Sequence, residues 1–189
     1  MGPFSFLGSK MTPRDFLDEV AHPNMVAAFK EPDDLRAIVN AILSLDALAG
    51  ALHAHASING RTEIVTYTSD EDYREALAAV SRSFRVLRDA SASLKHGNLG
   101  HPRKHRLARL VRSGTAFRAV PNGLGLYRCG DPLGSEVIVI EFDPGPGYVR
   151  ASSIIANSYR MLKRIVDGEA AQIDEHDHGT FLTAKPIPA

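Results

Sequence analysis

The chain has 189 residues, of which 22 are basic and 22 acidic, so its formal net charge is zero. A hydrophobic share of 44% and a charged share of 23% suit one globular domain with a sizeable core and exclude a disordered chain. No run approaches the ~20 apolar residues a spanning helix needs, and zero net charge gives no whole-molecule attraction to nucleic acid or anionic lipid. Cys129 is the one cysteine, which excludes an intrachain disulfide and a Cys-rich metal site and reads as a small buried hydrophobe. With no signal-peptide pattern at the N-terminus, the expected compartment is the cytoplasm.

Residues 1–10 read as a loose leader, residues 11–168 as one helical domain, and residues 169–189 as an extended tail. Thr12, Pro13 and Asp15 form a capping signature for a helix that buries Phe16, Leu17 and Val20 and breaks near Pro23. A short piece, Asn24 to Phe29, follows. Pro32-Asp33-Asp34 opens a longer helix whose apolar positions are Leu35, Ile38, Ile42, Leu45, Ala49 and Leu52. Their alternating spacing of three and four is the seam of a helix packed along its length. Ser69-Asp70-Glu71-Asp72 caps a helix with a second seam of Tyr73, Leu77, Val80, Phe84, Leu87, Ser91 and Leu94, ended by Gly97. The spacing predicts antiparallel helices over 33–57 and 70–96.

Residues 114–142 change character. Asn122-Gly123 is a hairpin-turn signal between Thr115–Val120 and Leu124–Cys129, and Val137–Ile140 is a β-branched strand. A last helix runs from about Tyr148 to Val166, stopping at Asp167-Gly168. The expected fold is mainly α: a four-helix bundle-like domain with a small antiparallel β meander inserted before the last helix.

No acidic residue lies between Asp89 and Asp131, while the same stretch holds Lys95, Arg103, Lys104, Arg106, Arg109, Arg112, Arg118 and Arg128, with His96, His101 and His105. Such a segment could hold a phosphate, a carboxylate or a nucleic-acid backbone; alternatively it is a solvated basic loop facing the acidic tail or helix ends of the same protein. No aromatic residue lies between Phe84 and Phe117, which argues against base stacking from this loop. Asp46 lies one position from the seam and needs a partner, which Arg85, Arg88 or His96 could supply. A polar cluster of Asp46, Arg88, Lys95 and His96 is then a network or a site, with His96 hydrogen-bonded at the last turn of its helix. The binding candidates are therefore Lys95, His96, Arg88, Asp46, Arg103, Lys104 and Arg106.

The run Arg85 to His96, followed by a β insert and a closing helix, resembles a family of uncharacterised bacterial helical-bundle proteins that share a Lys-His pair at the end of the third main helix. The resemblance covers about residues 33–166, singles out Lys95 and His96, and implies no known activity. Compact bundles with a late Arg/His motif also resemble the HEPN class, many of them ribonucleases, which place four to six residues between the Arg and the His. Arg88 and His96 are separated by seven, and Arg103 and His105 by one, so that motif fails here.

Other motifs carry less. Gly145-Pro146-Gly147 reads as a plain strand-to-helix turn, because Pro144 and Pro146 remove N–H groups a phosphate would need. His53 and His55, about 200° apart on a helix, cannot chelate one ion, and one of them reads as a hydrogen-bonded flank of the core. His176 and His178 in the tail read as an adventitious metal pair, so no cofactor or designed metal site is expected. The leading functional expectation is a non-enzymatic binding or interaction module, possibly a homodimer through its helical seams. The alternative is a nucleic-acid-binding or RNA-processing protein using residues 95–112. A hydrolase with His96 as general base rests on the histidine alone.

Overall fold

The computed structural model describes residues 11–56, 64, 66–100, 107–122, 126, 129, 131, 134–143, 147–169 and 181–182, and within them the chain is mainly helical with a small antiparallel sheet. Helix α1 (Pro13–Phe16) has both halves of its capping box. Thr12 Oγ1 accepts from the Asp15 N–H at 3.1 Å, and Asp15 accepts from the Thr12 N–H at 2.9 Å. The expected break at Pro23 does not occur. The chain instead passes through a π-helical turn (Leu17–Ala21) directly into α2 (His22–Lys30), the His22 N–H reaching the Leu17 carbonyl five residues back. A proline lacks its own N–H and crowds the carbonyl four residues before it; the wider turn just ahead relaxes the ladder where that crowding falls.

Helix α3 (Leu35–Ala56) is the central element. Its seam residues Ile38, Ile42, Leu45, Ala49 and Leu52 are buried, but so are Ala37, Ala41, Leu48 and Ala56, so the buried face is far wider than a seam. Leu35, by contrast, is exposed in the first turn. Helix α3 has 22 residues and contains an 18-residue window of mean hydropathy 1.6, so by length and composition it is long and apolar enough to cross a membrane, contrary to the expectation that no run qualifies. Here its apolar surface is covered by helices of the same chain.

The single helix expected over 70–96 is two: α4 (Asp70–Val80) and α5 (Arg82–His96). Ser81 is extended between them, and its hydroxyl accepts the Phe84 N–H at 3.1 Å, capping α5. The break re-phases the stripe. Tyr73, Leu77, Phe84, Leu87 and Ser91 are buried, Leu94 is half-buried, and Val80 is left exposed. Gly97, at φ +72°, ends α5 in the left-handed region that favours glycine.

Strands β1 (Phe117–Pro121), β2 (Glu136–Glu141) and β3 (Tyr148–Arg150) precede α6 (Ala151–Val166), and β4 (Phe181–Leu182) completes an antiparallel sheet in the order β1-β2-β3-β4. The pairing differs from the expected meander. β1 pairs directly with β2, from Phe117 opposite Ile140 to Pro121 opposite Glu136, and the Asn122 N–H donates to the Ser135 carbonyl at 2.8 Å. Of the expected middle strand, Leu126 and Cys129 lie in no strand and the remainder falls outside the described residues. The third strand is Tyr148–Arg150, which the apolar pattern had assigned to the last helix. The turn before it therefore joins strand to strand, with the Phe142 N–H donating to the Gly147 carbonyl at 2.9 Å. Part of the tail is a strand as well.

β2 is apolar on both faces because each face has a different neighbour. Ile138 and Ile140 join the helical core, while Val137 and Val139 pack with Val120, Leu126 and Tyr148 in a second, smaller cluster. Beyond the short β3, the Pro32 carbonyl accepts the Ile138 N–H at 2.9 Å, so the α2–α3 turn continues the ladder. Cys129 is exposed, not the buried hydrophobe its solitude suggested.

Candidate functional site

Asp46 is almost fully buried on α3, and three donors from the neighbouring helices converge on its Oδ2. Ser91 Oγ lies at 2.8 Å, Lys95 Nζ at 2.7 Å and Arg74 Nη1 at 3.5 Å. Its Oδ1 is buried without a hydrogen-bond partner among the described residues. Ser91 and Lys95 are four apart on α5 and so share a face. Arg74 comes from α4 and also pairs with Asp70 at 3.0 Å. It reaches Asp46 by lying across Gly50, where a Cβ would come within 2.4 Å of its guanidinium. The acid thus has the partner it needs, but Lys95 supplies it together with Ser91 and Arg74, rather than Arg85, Arg88 or His96.

The cluster expected of Asp46, Arg88, Lys95 and His96 is therefore divided. Arg88 lies in a second group, paired with Glu75 and, at 3.1 Å, with the fully buried Asp89. His96 is exposed and makes no hydrogen bond among the described residues, contrary to expectation. The same helix turns Asp89 into the core and His96 away from it.

Asp89 also meets the described end of the basic segment. Its Oδ2 accepts the Leu110 N–H at 2.8 Å, and its Oδ1 lies 3.6 Å from Arg109. Glu75 accepts the Leu107 N–H, and Arg85 donates to the Ala108 carbonyl. Residues 107–112 lie in no helix or strand, and their backbone is tied to α4 and α5 through Glu75, Arg85 and Asp89. Carboxylates satisfy the Leu107 and Leu110 N–H groups, while the Leu110 and Arg112 carbonyls accept from the Asp143 and Leu99 N–H groups. Arg103, Lys104 and Arg106 lie outside the described residues, as do His176 and His178.

A third buried charge holds the sheet. Arg150 donates to both oxygens of Asp131, at 2.6 and 3.0 Å, to the Leu126 carbonyl at 2.7 Å and to Ser152 Oγ at 2.8 Å. Asn122 adds a bond to Asp131 at 2.9 Å. Arg150 is the clamp between the long β1–β2 connection and the β3–α6 junction.

Among the described residues, an apolar cleft of about 160 Å³ opens where α1 meets the C-terminal ends of α3 and α6, lined by Thr12, Pro13, Leu52, Ala56, Ile64 and Val166, with Arg14 and His55. Arg14 and Lys163 both pair with Asp167, fixing α1 to the end of α6. The Lys163 ammonium, followed by the Arg14 guanidinium, holds the Asp167 carboxyl below the usual carboxylate value, and Asp167 in turn raises both bases. His53, one turn from the cleft, has Nε2 3.1 Å from the Tyr67 carbonyl and its ring stacked on Tyr73 at 6.0 Å, the core-flanking role expected of one of this pair. Sequence reasoning missed Arg74, Glu75 and the cleft. The Asp70–Arg74 spacing was the one available signal, an i,i+4 pair on a capped helix.

No group of three His, Cys, Asp or Glu side chains among the described residues is placed to hold a metal ion. Comparison of the chain with family models, with curated proteins and with solved structures finds no match in any of the three.

Proposed function

We propose that this chain is a non-enzymatic binding module, a four-helix bundle of α2, α3, α5 and α6 with a β meander inserted before its last helix, and that the cleft beside α1 is its binding place. One observation carries this reading. The buried acids and the buried arginine each fasten one segment of the chain to another, whereas the cleft is apolar and open. Its volume suits one benzene-sized group, since apolar cavities of this scale take up such molecules. The alternative, a polyanion site along residues 95–112, loses support from Lys95 and Arg109, both of which already face acids of the same chain.

The test is a titration of the full chain with benzene or indole, followed by methyl resonances. Leu52, Ile64 and Val166 should shift while β-sheet methyls such as Val137 stay fixed. Val166→Phe, which fills the cleft from its wall, should abolish the response. Shifts spread evenly over the molecule, or unaffected by Val166→Phe, would remove the cleft as a binding place.

A further inference from the structure

The charged groups that line the cleft beside α1 are all of one sign. Its walls are apolar, Leu52, Ile64 and Val166 among them, and the ionisable side chains that line it, Arg14 and His55, are both bases. Arg14 gives an Nη2 N–H to one oxygen of Asp167, while Lys163 holds the other oxygen of that acid. The remaining guanidinium N–H groups of Arg14 have no hydrogen-bond partner among the described residues, and its side chain is 44% exposed, which puts the charge at the mouth of the cleft. His55 is half-buried and likewise makes no hydrogen bond among the described residues.

The negative groups close by stand outside the cleft or are already satisfied. Asp15 accepts from the N–H and hydroxyl of Thr12, and Asp18 acts on Arg14 without lining the cleft. The last carbonyls of α6, which would favour a cation, are taken by the N–H groups of Asp167, Gly168 and Glu169. A neutral apolar guest would leave the two bases unused, and a cationic one would meet them as like charges. A ring bearing a carboxylate suits both parts: the ring leaves water for the apolar walls, and the carboxylate accepts from the planar guanidinium fork. About 160 Å³ is the scale of one such ring.

We infer that the ligand of this cleft is a small aromatic carboxylate, its ring against Leu52, Ile64 and Val166 and its carboxylate at Arg14 and His55. The inference rests on the reading of the cleft as a binding place and adds the charge of what it takes.

The experiment titrates the full chain with benzene, benzoate and benzylamine at neutral pH and follows the Leu52, Ile64 and Val166 methyls. Benzoate should bind about tenfold more tightly than benzylamine, since the same charges attract one and repel the other. Arg14→Gln should lower the ratio of benzoate to benzene affinity about fivefold, and Arg14→Lys, which keeps the charge, should restore most of it. A ratio is read because any shift of α1 on losing Asp167 weakens both probes alike. If Arg14→Gln does not fold, the preference of the parent chain between benzoate and benzylamine decides alone. Benzene binding with no such preference, or a ratio unchanged by Arg14→Gln, overturns the anionic ligand and leaves the cleft reading standing. Methyls that respond to none of the three probes overturn both.

Discussion

In the sheet, Asp131 takes both arms of the Arg150 guanidinium, and Leu126, Ser152 and Asn122 satisfy what is left. Between the helices, Asp46 gathers three donors on one oxygen and leaves the other without one among the described residues. The difference extends to solvent. Arg150 and Asp131 have side chains only 7% and 12% exposed, whereas Lys95 and Arg74 keep 43% and 23% of theirs. Removing one member of the first pair leaves a charge with little access to water; removing Asp46 frees cations that have more. The two acids should therefore stabilise the fold by different amounts.

The yardstick for both regions is the apolar core. Phe84 and Leu45 are fully buried and join the same cluster, so Phe84→Ala should cost about 3–5 kcal/mol and Leu45→Ala about 2–5 kcal/mol in denaturant unfolding. Arg150→Ala should approach that range, at about 3–5 kcal/mol, because Asp131, only 12% exposed, loses both guanidinium bonds. Asp46→Ala should cost less, about 1–3 kcal/mol, mostly from the Ser91 hydroxyl losing its acceptor. Equal losses for Arg150→Ala and Asp46→Ala would break the contrast between the two regions.

Gly50 sharpens the comparison further. In the parent chain, Gly50→Ala gains helix propensity but pushes Arg74 off Asp46, so its net effect should lie near zero. With Arg74→Ala already in place, the same change should stabilise by about 0.5–1 kcal/mol. A double-mutant cycle reads the difference, and identical effects in both backgrounds would mean that Arg74 does not bear on Gly50.

The smallest effect belongs to the exposed pairings beside the cleft. The Asp167 carboxyl is depressed in the folded state, first by Lys163 and then by Arg14. Its contribution is therefore present above the ordinary carboxylate value and lost as pH falls through a folded value below 3.8. The urea midpoints of the parent and Asp167→Asn should differ slightly at neutral pH and converge in acid. A gap that widens in acid would contradict the pairing.

The sequence by itself determined what local hydrogen bonds and helical periodicity encode. The Thr12–Asp15 capping box, the Ser69 cap, the seam from Ile38 to Leu52 and the Gly97 stop each involve residues within one or two turns of one another, and all are present. Asp46 was legible as an acid needing a partner, because a charge beside a seam must be paired, and Lys95 was within the expected cluster. Tertiary structure decided which groups meet across the chain. Ser81 could have stayed helical, and its break sets the phase that leaves Val80 outside. Asn122-Gly123 signals a turn, yet β1 finds its partner in β2, whose β-branched row gives the sheet a face for each of two cores. Arg74 reaches Asp46 only because Gly50 on another helix leaves room, and Arg150 finds Asp131 across a long connection. Spacing along a chain fixes what lies on one face of one element; it does not fix which face of another element arrives opposite, because that depends on burying the whole core at once.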